Sequence, residues 1–372
     1  MRIVHIVPSY YPYESGGSAY SLFRLNCGLS SYKKIIVSEG LRKNGERKNC
    51  VTHDKNHKAF FFSKFSYKMY ATLFKVCRKA DCIQLSSFFF PPNLFAFIIA
   101  KVFNRKMIIS PRGEFFEYAL NRKRKQKGFF INLFKFINPK TIFHATSEKE
   151  IEMIKKLIPS VKNENIVKIF NSFESEYSLS EKRKNQFLFL GRINPIKNIH
   201  SVFKYIKNIE DVTFLIAGEA NLSYEKEYLN FLKLKIKQLG IENKVKFLGK
   251  VHGEEKYKVI ASCKCLVLPS HSENFGNVVL ESLSQGTPVI ASLGTPWSLL
   301  DEYACGFHID FNLEEVVQLK LTSLISLDQV DFTRIKENTK NLMEMYQTTI
   351  INDKWKCLYE REFNSNITKI NK

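Results

Sequence analysis

Short runs of β-branched and apolar residues alternate along this chain with stretches whose apolar positions recur three and four residues apart. The first rhythm fits strands buried on both faces of a sheet, and the second fits helices packed on it. The run RIVHIV over residues 2–7 predicts a central strand that Pro8 ends. A helical pattern follows over 18–29, and further strands are expected at 81–85, 106–110, 143–147 and 166–170. The second half predicts strands at 187–190, 213–217, 245–248, 265–268, 288–291 and 307–309. Helical patterns fall between them near 197–208, 224–239, 253–261, 277–285 and 297–303. This alternation predicts an α/β protein built on doubly wound parallel sheets. A chain of 372 residues is long enough for two such domains. The expected boundaries are a first domain over 1–171, a polar linker over 172–185, a second domain over 186–345 and a terminal helix over 346–372 that frays after Phe363.

Two stretches fit this rhythm less well. Residues 40–58 are polar and predict a loop, with His53 and His57 as surface positions and no third ligand nearby to suggest a metal. The residues after it interleave Phe and Tyr with Lys, which fits an amphipathic helix with its apolar side on the core. Further on, NRKRKQKGFFINLFKFINPK over 121–140 sets five cations in 122–127 ahead of an apolar stripe. That is the shape of a basic amphipathic element lying on an anionic leaflet; the plainer alternative is a solvated loop followed by a core helix. Peripheral contact with an anionic membrane through 121–137 is therefore expected. Nucleic acid is not, since no recognised nucleic-acid module surrounds the stretch.

Charge sharpens this contrast between the halves. Residues 1–170 hold 31 Lys and Arg against 11 Asp and Glu, and the remaining residues hold 26 against 25. Nearly all of the formal net charge of +21 therefore belongs to the first domain, which suggests an anionic surface or substrate there. The eight cysteines form no C-x-x-C pair and read as reduced thiols of a cytosolic protein. The chain opens directly on a strand, so no signal peptide is expected, and no apolar run reaches the roughly 18 residues of a spanning helix.

The candidate chemistry centres on SHSENFGNVVLESLSQGTPVIASLG, residues 270–294. A buried strand ends at Leu268, a loop follows, and Phe275-Gly276-Asn277 begins a helix that Gly286 ends. Backbone N–H groups around Gly276, Asn277 and Val278 are suited to a phosphate. Glu273 lies in the loop and Glu281 about two turns into the helix, with seven residues between them. A second cluster leaves the strand at 187–190, where Gly191-Arg192 is followed by Lys197, five residues after the arginine. Two cations fixed there are suited to an anionic ligand, or are a pair of exposed surface charges. In the first domain Gly16-Gly17 follows the first strand without a G-x-G-x-x-G dinucleotide fingerprint. Arg112, beyond the strand at 106–110, is a candidate phosphate ligand or a partner for Glu114 or Glu117. Ser86 or Ser87 could bond a sugar hydroxyl or shape a turn.

Together the Glu273–Glu281 spacing, the F-G-N-V context, the strand G-T-P-V-I-A and the G-R…K pair resemble the retaining glycosyltransferases of family 4. S-P-R-G-E at 110–114 and H-A-T-S-E-K-E at 144–150 resemble a subgroup that acts in bacterial surface polysaccharide assembly. The resemblance implies a GT-B fold: two Rossmann-like domains facing across a cleft, with the last helix crossing back to the first domain, where Trp355 would pack. It implies transfer of a sugar from a nucleotide sugar to an acceptor hydroxyl, on a lipid-linked acceptor or another saccharide, at the inner face of the cytoplasmic membrane. Arg192, Lys197 and Glu273 would be catalytic. Gly17, Phe275, Gly276, Asn277, Val278 and Glu281 would help them bind the donor, Glu281 through the ribose hydroxyls. Arg112 and Ser86 would meet the acceptor or a phosphate. No cofactor and no metal are expected, because the basic pair does the metal's work. Two positions depart from the family: Gln84 and Ser86 stand where many relatives carry histidine, and Asn171-Ser172 stands where Asn-Gly is usual. A sugar-nucleotide epimerase of the same fold, or a non-catalytic basic adaptor at a membrane or nucleic acid, are the alternatives.

Overall fold

In the computed structural model Arg2–Val7 forms β1, five of its six residues fully buried, in the middle of an eight-stranded sheet. The structure describes residues 1–12, 17–40, 50–63, 66–175, 177 and 182–363. Gly16, residues 41–49 of the expected loop, most of 176–181 in the expected linker and the tail after Phe363 lie outside the described residues. The chain divides into two units, Met1–Ser172 with Tyr346–Lys372, and Phe173–Met345.

In the first unit β1 is followed by α1 (Gly17–Gly28), β2 (Lys33–Glu39), β3 (Cys50–Asp54), β4 (His57–Phe62), α2 (Tyr67–Cys77) and β5 (Cys82–Leu85). Then come α3 (Pro92–Val102), β6 (Lys106–Ile109), α4 (Glu117–Asn121), α5 (Arg124–Ile137), β7 (Thr141–Ala145), α6 (Glu148–Leu157) and β8 (Ile166–Lys168). The strand order is β3-β4-β2-β1-β5-β6-β7-β8, parallel except for β3 against β4.

The pair β3 and β4 corrects the expected polar loop. Asp54 accepts the Asn56 N–H at 2.6 Å in a tight turn, and Ala59 and Phe61 then alternate inward. Charged residues around the turn mask this alternation in the sequence. His57 is not a surface residue: it is fully buried and shares a 2.8 Å hydrogen bond with the Tyr10 hydroxyl. The ring of His53, half-buried on β3, lies 4.6 Å from it, tilted by 40°. Lys34, also fully buried, donates to the carbonyls of Asn26 and Leu29 at 2.8 and 2.9 Å. A cation at that helix end meets carbonyls with no helical partner.

The second unit runs β9 (Lys184–Leu190), α7 (Phe203–Lys207), β10 (Thr213–Ala217), α8 (Ser223–Leu239), β11 (Val245–Gly249), α9 (Gly253–Ser262) and β12 (Cys263–Leu268). It continues through α10 (Asn277–Leu283), β13 (Val289–Ser292), α11 (Leu299–Glu302), β14 (Gly306–Ile309), α12 (Glu314–Ile325) and α13 (Gln329–Glu344). Its six strands are all parallel, ordered β11-β10-β9-β12-β13-β14. The helix expected near 197–208 is instead two 3-10 turns, Pro195–Lys197 and Ile199–Val202, before the short α7. Asn198, left-handed at φ 51°, separates the two turns.

After Met345 the chain returns to the first unit as α14 (Thr348–Phe363). Trp355, Leu358 and Tyr359 bury there with α1 and β1 in one core cluster. The Trp355 ring lies 4.7 Å from His144, and the Tyr359 hydroxyl donates to Gln84 at 2.5 Å. Each such buried side chain contributes on the order of 2 kcal/mol. Gln84 is thus a fully buried anchor for the terminal helix. The fold is GT-B in class: two parallel α/β units with the last helix on the first.

Candidate active site

In each sheet the winding direction reverses at one place, and crevices for ligands form there, outside the carboxyl ends of the strands. In the second unit the reversal falls between β9 and β12. Arg192 and Lys197 follow β9, and Glu273 follows β12. Gly191 leaves β9 by donating to the Ala217 carbonyl at 3.0 Å. Gly218, where β10 ends, must be glycine, because a Cβ would stand 1.8 Å from the Gly191 oxygen. Asn194 then caps the turn Pro195–Lys197, accepting the Ile196 N–H at 3.1 Å. The Ile196 carbonyl accepts from the His271 N–H at 2.8 Å, which ties the two loops together.

This framework brings Lys197 and Glu273 into contact: the ammonium donates to Oε1 of Glu273, and the two side chains are 17% and 12% exposed. Ser270 donates to the same oxygen at 2.9 Å, and the Glu273 N–H bonds the Gly294 carbonyl at 3.0 Å. Two donors thereby hold one carboxylate oxygen, and the backbone bond fixes the residue that carries it. An ammonium carries three donors, so Lys197 can hold Glu273 and still meet a phosphate oxygen.

The helix start beside them is held by Trp297. Its indole N–H donates to the Phe275 carbonyl, and the two rings pack at 5.3 Å. Phe275 is buried in that packing. Gly276 caps α10 at φ 80°, a backbone region open to glycine at little cost, and a Cβ there would press the indole at 3.3 Å. Asn277 and Val278 form the first turn. Glu281 is the fifth residue of α10, a little over one turn in rather than two, and pairs with Lys256 of α9 at 3.0 Å.

Arg192 stands apart from the Lys197–Glu273 contact. It is 71% exposed and reaches Oε1 of the buried Glu225 at 3.7 Å. Glu225 was not foreseen as part of the site. It also accepts the Asn221 and Leu222 N–H groups at 3.0 and 3.1 Å and the Asn194 amide at 3.1 Å. Burial alone would raise its pKa; the Leu222 and Asn221 donors, Asn194 and Arg192 together hold it below the ordinary carboxylate value. A glutamate three residues into a helix, after a loop, is a capping signal that could have pointed to it.

In the first unit the reversal falls between β1 and β5. A pocket of about 180 Å³ opens there, lined by Pro8 and Ser9 after β1, Ser86 and Ser87 after β5, and Arg112 and Glu114 after β6. Arg112 sits in the left-handed region at φ 52°. Its Nε and the Ser86 hydroxyl are buried with no hydrogen-bond partner among the described residues. The two glutamates weighed as alternative partners of Arg112 are engaged elsewhere: Glu114 accepts from Ser87 and the N–H groups of Phe88 and Phe89, and Glu117 faces Lys156 at 3.2 Å. Its supporting charge is Glu150, which accepts the Gly113 and Thr146 N–H groups at 2.8 and 2.9 Å. Gly17 opens α1 in this unit. Among the described residues no group of three or more His, Cys, Asp or Glu is placed to hold a metal ion, and no helix is long and apolar enough to cross a membrane.

Residues 171–342 match the family described as Glycosyl transferases group 1. Over 354 residues the chain is 26% identical to the uncharacterized glycosyltransferase MJ1178 of Methanocaldococcus jannaschii, covering 92% of this chain and 93% of that protein. Over 134 residues it is 33% identical to the O-antigen chain mannosyltransferase RfbU of Salmonella typhimurium, covering 36% and 37% of the two. Among solved structures, Anabaena Alr3699/HepE in complex with UDP-glucose superposes with a TM-score of 0.77 at 17% identity, over 95% of this chain and 98% of that one. These likenesses support a GT-B glycosyltransferase.

Proposed function

We propose, from the premise of a GT-B glycosyltransferase, that the protein moves a sugar from a nucleotide sugar to an acceptor hydroxyl with retention of configuration, as family 4 enzymes do. The acceptor in this reading is a saccharide, carried on a lipid, in bacterial surface polysaccharide assembly on the cytoplasmic side of the membrane. The observation that carries it is the Lys197–Glu273 contact at the reversal between β9 and β12. The diphosphate takes its charge compensation from Lys197 and from Arg192, which approaches Glu225 at 3.7 Å. The N–H groups of Gly276, Asn277 and Val278 add to this. Glu281 accepts the ribose hydroxyls, since one carboxylate can take two such bonds.

In the reaction the bond from the anomeric carbon to the diphosphate oxygen breaks as the acceptor oxygen bonds to the same face of that carbon. The acceptor's proton passes to the departing phosphate oxygen. Glu273 steadies the positive charge that grows on the sugar ring, and the fixed cations stabilise the negative charge on the leaving group. No metal is needed in this account. The pocket with Ser86 and Arg112 receives the acceptor or a phosphate attached to it. The UDP-glucose bound to HepE favours a nucleotide sugar as donor.

A thermal-shift screen over UDP, GDP, ADP and their sugars tests the reading. One nucleoside diphosphate family should raise the melting temperature, and its sugar should be consumed only slowly without acceptor. No shift with any nucleotide would refute the donor site, and full turnover of donor alone would point to an epimerase.

A further inference from the structure

The helices α2, α3 and α5 cover one face of the first unit's sheet, and α3 packs against both of the others. Their inner residues Leu73, Phe97 and Phe134 enter a single core cluster. Their outer faces carry large apolar residues at helical spacing: Tyr67 and Phe74 on α2, Ile98 and Val102 on α3, Phe129 and Phe136 on α5. Phe136 is 87% exposed and Val102 69%. The Phe74 ring lies 5.9 Å from Phe103 at the end of α3, and the Lys101 ammonium bonds the Asn138 carbonyl beyond α5 at 3.3 Å. The outer residues therefore belong to one continuous layer.

The charge on this layer has a single sign. α2, α3 and α5 carry two, one and four Lys or Arg, and none of the three contains an Asp or Glu. Soluble surfaces mix both signs and avoid contiguous apolar area of this kind.

We infer that this three-helix layer is a docking face for an anionic lipid bilayer, with the apolar side chains entering the headgroup boundary and the cations meeting lipid phosphates. Helices that lie side by side on a sheet present a broad surface, which suits a membrane plane. Aliphatic Ile98 and Val102 gain free energy from burial in acyl chains, whereas they would gain little from a nucleic-acid backbone. Cations near the surface are attracted to an anionic leaflet, and salt screens that attraction. The expected basic element at 121–137 supplies one third of the face; α2 and α3 supply the rest. The inference does not depend on the transfer reaction.

The test uses the full chain with vesicles of phosphatidylcholine, with and without phosphatidylglycerol. The protein should sediment with the phosphatidylglycerol vesicles and be released by salt. The double variant Val102→Ser/Phe136→Ser should keep its melting temperature, because both side chains are exposed, and lose roughly tenfold or more in partitioning. Phe136→Trp gives a second readout, since Trp297 and Trp355 are both buried. Its emission should shift to the blue on anionic vesicles. Failure to bind them, equal binding to both vesicle types, or binding that the double variant leaves unchanged would overturn the inference. So would duplex DNA competing fully with the vesicles without any shift in the Phe136→Trp emission.

Discussion

Lys197, beyond the carboxyl end of β9, donates to the Glu273 carboxylate beyond the carboxyl end of β12, and Ser270 shares the same oxygen. The two strands are neighbours at the place where the sheet reverses its winding. In the proposed reaction the cation that meets the leaving phosphate and the anion that faces the sugar are thus side by side before any substrate arrives. Such preorganisation avoids reorientation during the reaction.

Glu281 pairs with Lys256 at 3.0 Å and is assigned to the ribose. Glu281→Ala should weaken nucleotide affinity about tenfold, the loss of one or two hydrogen bonds to a charged group. Isothermal calorimetry with the best nucleoside diphosphate checks this. Lys256→Met should change the affinity much less, since Lys256 only neighbours the carboxylate. Equal losses in both variants, or none in either, would remove Glu281 from the donor site.

Glu225 joins the start of α8, the Asn194 loop and Arg192. Glu225→Ala strips a buried acceptor from two N–H groups and should lower the stability of the second unit by about 2 kcal/mol. Urea unfolding measures that loss. Because Asn194 also positions the turn that carries Lys197, transfer should slow as well; wild-type stability and rate would show that the loop stands without this carboxylate.

The first unit should weaken in acid. Burial holds His5 and His144 down to about 3, and burial with the nearby His53 and Lys34 holds His57 down to about 4. A histidine kept neutral by the fold contributes fully above its unfolded pKa of 6.5, and stability drains away as pH falls from there toward the folded value. Glu114 and Glu150, raised by burial, act in the opposite direction. Comparing the wild type with His57→Gln cancels those shared contributions. The fall in stability between about pH 7 and pH 5 should be smaller in the variant by about 2 kcal/mol. Equal falls in chemical denaturation would contradict the burial of His57.

Much of the architecture was legible because β-branched runs such as RIVHIV and TFLIA are short, apolar and bounded by loops. The strand over Thr213–Ala217 is found where the pattern puts it. β3 and β4 were hidden, since a polar hairpin turn and two histidines break the apolar signal although His57 points inward. The 3-10 turns before α7 were hidden as well, because their apolar spacing matches a helix while Asn198 turns left-handed. Loop motifs mark Lys197 and Glu273 as candidates, but 76 residues separate them, and only the strand order makes them neighbours. Local pattern also says nothing of Arg192 leaning toward Glu225, or of Glu150 being the carboxylate whose charge supports Arg112. Those depend on tertiary packing.

The central assignment is that Lys197 grips the diphosphate. Calorimetry on Lys197→Ala against the wild type, with one nucleoside and its diphosphate as paired ligands, measures this directly. Diphosphate affinity should fall about ten- to a hundredfold while nucleoside affinity and the folded state are retained. A variant that binds the diphosphate as tightly as the wild type would contradict the account.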